Sequence, residues 1–313
     1  MNWKPKANNR YNTQLVNQPP HTIMKPQEYC ENKAAQSGSS FYYSFRFLPE
    51  KQRDAIIALY AFCREVDDIV DEISDEQLAR TKLDWWREEI KNLFHATPTH
   101  PVALALKQHI QHFDLAEEYF HEIIDGMAMD LECVSYQSYA DLSLYCYRVA
   151  SVVGLLSVEI FGYQNRKTLK YAHELGMAFQ MTNIIRDVYE DAMRGRIYLP
   201  QDDLDKFGVS AEELLEQKTT ENIIKLLEFE KQRALKHYHK AFELLPEEDR
   251  FSQRSGIIMA EIYLATLQEI ERDGYRVLEH RVKLTPLRKL WIAWRIARRE
   301  KSRYGHQSNK KIA

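Results

Sequence analysis

The sequence predicts an all-α protein, a single helical bundle rather than a sheet. Three observations lead there. Glycine and proline are scarce, ten of each in 313 residues, too few turn-formers for strand-and-turn repetition. Apolar residues recur at i, i+3 and i+4 over long stretches, the period of helices that bury one face. No repeat and no Pro/Gly/Ser-rich linker divides the chain, and 44% hydrophobic content supplies a large core.

Residues 1–25, containing "NQPPHT", are expected to be a disordered N-terminal segment. Residues 26–313 are expected to form the helical domain, with a first helix starting near Pro26. "SGSSFYYSFRFLP" (37–49) breaks that helix, because Ser and Gly favour turns and local backbone hydrogen bonds. "EKQRDAIIALYAFCREVDDIVDEI" then reads as one long helix, with Ile56, Tyr60, Cys63, Asp67, Val70 and Asp71 on a broad shared face. "DEQLARTKLDWWREEIKNLF" is a second, closed by "ATPTHP". Further helices are predicted over 101–111, 115–130, 138–162, 166–191, 219–246, 253–274 and 286–303.

The formal charge of −3 is unevenly placed: Arg281 to Lys311 holds eleven Lys or Arg against Glu300, leaving −13 on the rest. That pattern suits a body that handles cations or phosphates and a tail that meets an anionic surface. Nothing in it calls for nucleic acid. In the tail, Leu287, Leu290, Trp291 and Trp294 fall at i, i+3, i+4 and i+7 among basic residues. The stripe is expected to pack on the domain; the alternative is peripheral contact of 286–303 with anionic lipid. The four cysteines show no CxxC pair and read as free thiols. Residues 1–25 lack a signal-type apolar core, and the longest charge-free apolar run, Val149 to Val158, is too short to span a bilayer. A cytoplasmic protein, at most peripheral to the inner membrane, is expected.

Two acidic stretches carry the chemistry. In "CREVDDIVDE" (63–72), Asp67/Asp71 and Asp68/Glu72 are both i, i+4 pairs. Like charges at that spacing repel unless a cation sits between them or water hydrates the face. In "FQMTNIIRDVYEDAMRGRIYLP" (179–200), Asn183, Asp187 and Asp191 recur at i, i+4 and i+8, with Gln180 one turn earlier. Either ridge alone could be a solvated surface. Together they favour a metal site, and oxygen donors without His or Cys point to Mg²⁺ completed by a diphosphate. Arg64, Arg186, Arg194 and Arg196 stand near enough to hold phosphate oxygens. Phe41, Phe45, Tyr145, Phe179 and Tyr263 could line an apolar cavity that shelters a carbocation. No nucleotide loop, Rossmann fingerprint or Ser-His-Asp pattern is present.

These two stretches resemble the aspartate-rich signatures of the squalene/phytoene synthase family, the trans-isoprenyl diphosphate head-to-head synthases. "DGMAMDLE" (125–132) and "YCYRVASVVGLLS" (145–157) resemble two further family blocks in the same order, and the likeness runs from Ser37 to Leu267. Within the family the chain is most similar to bacterial presqualene diphosphate synthases of the hopanoid route. The resemblance implies an all-α isoprenoid synthase joining two farnesyl diphosphates with two or three Mg²⁺ and no NADPH, ahead of squalene-forming enzymes. It implies metal binding by Asp67, Asp71, Asn183, Asp187 and Asp191. Arg64, Gln180, Arg186, Arg196 and Tyr198 would meet substrate, Phe41 and Phe45 would border the prenyl channel, and Tyr145, Tyr263 and Arg64 would act at the reacting end. Ser37 and Ser39 stand where many relatives carry a basic residue, and Tyr189 where many carry Gly. The rivals are a phytoene or dehydrosqualene synthase, a one-step squalene synthase and a non-catalytic helical assembly factor.

Overall fold

The computed structural model describes residues 24–36, 44–132 and 135–312. The expected disorder of 1–25 falls almost wholly outside these residues, as do Phe41, Ser37, Ser39 and Cys133. Helices run as α1 Pro26–Gln36, α2 Glu50–Glu72, α3 Glu76–His95, α4 Pro101–Lys107, α5 Glu117–Glu132, α6 Tyr139–Cys146 and α7 Val152–Phe161. They continue as α8 Lys167–Arg186, α9 Val188–Met193, α10 Gln201–Phe207, α11 Glu221–Leu244, α12 Arg254–Arg272 and α13 Pro286–Ile312. Among the described residues the only β pairing is an isolated bridge, Ser135 to Ile197. The all-α expectation holds.

Local chemistry sets several boundaries. Asp75 caps α3 by accepting from the Leu78 N–H at 3.1 Å. Ser138 and Asp141 form a capping box at the start of α6. Four helices depart from the predicted ranges, α13 by running on past 303 to Ile312. The stretch 101–111 stops at Lys107 and turns toward Asp114, which has φ 51. The stretch 138–162 is continuous but contains a π-helical turn, Tyr147–Ser151. There α8 comes so close that a Cβ on Gly176 would lie 2.5 Å from the Ser151 Cα. The wide turn also lets the Ser151 hydroxyl donate to the His173 carbonyl at 2.8 Å. The stretch 166–191 breaks at Asp187, with φ −108 and ψ 16.

Two apolar clusters divide the fold. One is built from α1 to α5 and α7, the other from α6, α8, α11, α12 and α13. Helix α8 faces α11 over most of its length and also meets α7 and α12. The helix Tyr139–Phe161 is long and apolar enough by composition to cross a membrane, although its charge-free run is short; half of it is buried inside the fold.

The tail overturns one expectation. Ile292, Ala293, Ile296 and Glu300 form the buried face of α13, whereas Leu287, Leu290, Trp291 and Trp294 are exposed. The helix has two apolar faces, and the sequence period could not choose between them.

Candidate active site

Helix α2 brings the first acidic stretch alongside α1, and that packing sorts its carboxylates. Glu65 accepts from Tyr29 at 2.8 Å and pairs with Lys33 at 3.1 Å, and Asp68 pairs with Lys33 at 2.8 Å. These two acids fasten α1. Asp71 turns instead toward the second ridge, and Asp67 stays on Arg64 of its own helix. Arg64 holds Asp67 at 2.5 Å and also contacts Asp68.

The ridges confront each other through Asp71. Arg196, 125 residues downstream, donates to Asp71 at 2.7 Å and to the Val70 carbonyl at 2.5 Å, while Arg194 lies 3.4 Å from Asp71. Despite the break at Asp187, the helical register persists: the Asp187 N–H bonds to the Asn183 carbonyl and the Asp191 N–H to the Asp187 carbonyl, each at 2.9 Å. Asn183, Asp187 and Asp191 therefore stay on one side. Asp187 is gripped by its neighbour Arg186 and by Arg281, at 2.9 Å.

Charge is crowded here. Burial, with Asp187, Asp71 and Asp130 nearby, pushes the Asp191 carboxyl up to about 7 against the pull of Arg194. Burial and the neighbouring carboxylates Asp71, Asp68 and Asp130 push Asp67 up to about 6, although Arg64 opposes them. The Asn183 Oδ1 is buried with no hydrogen-bond partner, its amide nitrogen donating to Gln180 at 3.3 Å. Among the described residues no three His, Cys, Asp or Glu side chains converge closely enough to hold a metal unaided. A cation here would need oxygen atoms from a ligand as well.

Beside the ridges lies a tyrosine–carboxylate cluster. Asp130, at the end of α5, accepts from Tyr198 at 2.7 Å and from Tyr145 at 3.0 Å. The two rings stack at 5.0 Å, and Tyr136 stacks on Tyr198 at 6.2 Å. The segment before α6 is fixed by the Gln201 N–H, which donates to the Tyr136 carbonyl at 2.9 Å. Burial raises Asp130 to about 6, opposed by the Tyr198 hydrogen bond and Arg196. Burial and the adjacent carboxylate raise the Tyr145 phenol far above its usual value. Its hydroxyl is a donor that keeps its proton.

From this polar mouth a cavity of about 190 Å³ runs between the two apolar clusters. Cys63, Gln180 and Asn183 mark the polar end, Phe45, Leu59, Val153 and Phe179 line its flanks, and Tyr171 and Gln253 mark the far end. Tyr171 and Asn183 are twelve residues apart on α8, so the cavity is roughly 18 Å long. Of the sequence-predicted lining, Phe45 and Phe179 are in the wall. Tyr145 belongs to the Asp130 cluster, and Tyr263 packs behind Phe179 at 4.8 Å. Tyr189 lies near the site's edge, where its hydroxyl takes the Gln217 side-chain amide, a contact that accounts for a side chain at that position.

Sequence reasoning singled out neither Asp130 nor Arg281. A lone carboxylate amid Met127, Met129 and Leu131 was the available signal for Asp130. Arg281 had none, because only the fold returns it to Asp187.

Residues 34–288 match the family described as Squalene/phytoene synthase. The chain belongs to that family. It is 36% identical over 287 residues to a phytoene synthase of Arthrospira platensis, covering 87% of this chain and 92% of the relative. It is 35% identical over 270 residues to a presqualene diphosphate synthase of Sinorhizobium fredii, covering 86% and 96%. A crystal structure of a dehydrosqualene synthase in complex with ligand superposes with TM-score 0.79 at 29% identity, over 88% of this chain and 97% of that one. The squalene/phytoene synthases are head-to-head isoprenoid synthases, so this chain is placed among enzymes that transfer prenyl groups.

Proposed function

We propose that the protein condenses two farnesyl diphosphates head to head into presqualene diphosphate, releasing one diphosphate, with Mg²⁺ between the two acidic ridges and without NADPH. The observation that carries this reading is the bridging of the two acidic ridges, Asp71 of the first held by Arg194 and Arg196 beside Asp191 of the second, next to an apolar cavity whose polar end is Asn183. The donors fit Mg²⁺: hard oxygens, one of them the unpartnered Asn183 Oδ1, and carboxylates held above their usual range first by burial and then by neighbouring acids. Bound there, Mg²⁺ would offset the charge of a departing diphosphate.

The chain's own residues do the rest. Arg64, Arg186, Arg194, Arg196 and Arg281 each hold a carboxylate and can turn to diphosphate oxygens in bidentate fashion. Phe45 and Phe179 give the hydrocarbon tail an apolar wall that excludes water and presents ring faces to a developing cation. Tyr145 keeps its proton and donates at the mouth, which leaves the released diphosphate as the base for the proton lost in cyclopropane closure. Asp130 orients Tyr145 and Tyr198.

The test is incubation of purified protein and Mg²⁺ with farnesyl or geranylgeranyl diphosphate, with and without NADPH, and mass spectrometry of the products. A C30 product that retains one diphosphate in both conditions supports the reading; a hydrocarbon as main product refutes it. The phytoene synthase relative supports a second reading, condensation of geranylgeranyl diphosphate to phytoene, which the same assay distinguishes by carbon number. A cytoplasmic enzyme feeding a squalene-forming enzyme would follow from the first reading.

A further inference from the structure

Helix α13 carries an apolar face that the fold leaves uncovered. Leu287 is 79% exposed, Trp291 55% and Trp294 52%, with Leu290 beside them. They span two helical turns on one side, while Ile292, Ala293 and Ile296 pack inward. Singly exposed apolar residues are ordinary; four contiguous ones with two tryptophans on one helix are not.

The surroundings of the stripe are cationic. Arg295 sits over the Trp291 ring at 4.8 Å and Arg298 over Trp294 at 5.6 Å. Arg288 and Arg299 are tied back to Glu269 and Glu261. Arg298 and Lys301 meet no carboxylate among the described residues. On its inward side the same helix passes the candidate site: Lys289, in line with the buried Ile292, Ala293 and Ile296, lies within electrostatic reach of Arg186 and Arg281, the two arginines that grip Asp187.

We propose that the exposed face of α13 docks the protein on an anionic lipid bilayer, with the Trp291 and Trp294 rings at headgroup level and the flanking cations on lipid phosphates. Tryptophan suits that depth because its body is apolar and its indole N–H is polar. A helix with an apolar stripe between basic flanks lies in the interface plane. A second copy fits worse, since it would bring like-charged flanks together. A stable protein interface also buries about 800 Å² per partner, and two half-exposed tryptophans offer on the order of 100 Å² each. Docking there would bring the helix that passes the site to the membrane, where a water-insoluble prenyl product can leave. This last point rests on the proposed function; the docking itself does not.

The test uses the full chain in co-sedimentation with vesicles of phosphatidylcholine alone and of phosphatidylcholine mixed with phosphatidylglycerol, at low and at physiological salt. Wild type is expected to sediment with the anionic vesicles only, and less as salt rises. Trp291→Ser/Trp294→Ser is expected to abolish sedimentation. Arg298→Gln/Lys301→Gln is expected to weaken it about five-fold per charge, roughly 25-fold for the pair at low salt. Both variants should melt as wild type does, because the replaced side chains are on the surface. Equal binding to neutral vesicles, or unchanged binding by the tryptophan variant, overturns the proposal. So does self-association of wild type in sedimentation velocity that the tryptophan variant lacks, which would assign the face to a second copy.

Discussion

Asp67 and Asp71, four residues apart on one helix, should respond oppositely to removal of their charge. Asp67 has its carboxyl raised from 3.8 to about 6, chiefly by burial and then by Asp71, Asp68 and Asp130 beyond what Arg64 offsets. Two units correspond to about 3 kcal/mol of strain in the charged form. The side chain is 33% exposed, and solvent screening brings this to about 1–2 kcal/mol. The sign follows from proton counting. Between the unfolded and folded values the native state binds more protons, so this group's contribution to stability falls as pH rises through about 4 to 6. Asp67→Asn should therefore raise stability at pH 8 by about 1–2 kcal/mol, roughly 2–4 °C in melting temperature, with the gain shrinking toward pH 4. Asp71 instead supplies the charge that holds Arg196, whose side chain is only 12% exposed. Asp71→Asn removes the carboxylate that guanidinium is hydrogen-bonded to, leaving only the more distant charge of Asp130, and should cost about 1–2 kcal/mol. Thermal unfolding in a chelating buffer at pH 5 and pH 8 reads both effects. If Asp67→Asn melts lower than wild type at pH 8, or both variants shift the same way, the assignment of strain to Asp67 is wrong. Both should lose turnover.

Three further outcomes are expected. Glu230, buried on α11 beside Asp203 and Arg233, is pushed up to about 7, first by burial. Glu230→Gln should add on the order of 2 kcal/mol at pH 8 and flatten the loss of stability that wild type shows as pH rises from about 4.5 to 7, read by denaturant unfolding across pH. Gly176→Ala would place a Cβ 2.5 Å from the Ser151 Cα, and should lower stability by about 1–3 kcal/mol because a backbone atom cannot move aside cheaply. Arg281→Gln, which removes one of the two grips on Asp187, should raise KM for the diphosphate substrate about ten-fold or more without moving the melting temperature; an unchanged KM would place Arg281 outside the site.

Much of the fold was legible because long amphipathic helices announce themselves by period, and both acidic ridges because carboxylates interleaved with Ile and Val are a costly pattern. What the sequence left open lies in tertiary contacts. Asp67/Asp71 and Asp68/Glu72 have the same spacing, and only the docking of Lys33 on Asp68 shows which acids bind α1. Arg281 lies about ninety residues from Asp187 and is joined to it by the chain's return. The π turn left no periodic trace, since one extra residue shifts an apolar pattern by less than the width of an apolar face. The tail's stripe was visible, but not that Ile292 and Ile296 would win the core.

The far end of the cavity has its own consequence. There the Tyr171 hydroxyl and the Gln253 Oε1 are buried without hydrogen-bond partners, although the Gln253 amide nitrogen donates to the Gly162 carbonyl at 2.9 Å. A hydrocarbon that stops short of this floor meets a mostly apolar wall. Both atoms are already shut off from water and from any donor, a cost of about 1–3 kcal/mol for each group that the fold carries with or without a guest. A hydrocarbon tail that reaches the floor relieves neither group, whereas a tail ending in a hydrogen-bonding group would relieve one or both, so this floor, about 18 Å from Asn183 along α8, favours a polar-tipped guest over an equally long plain one.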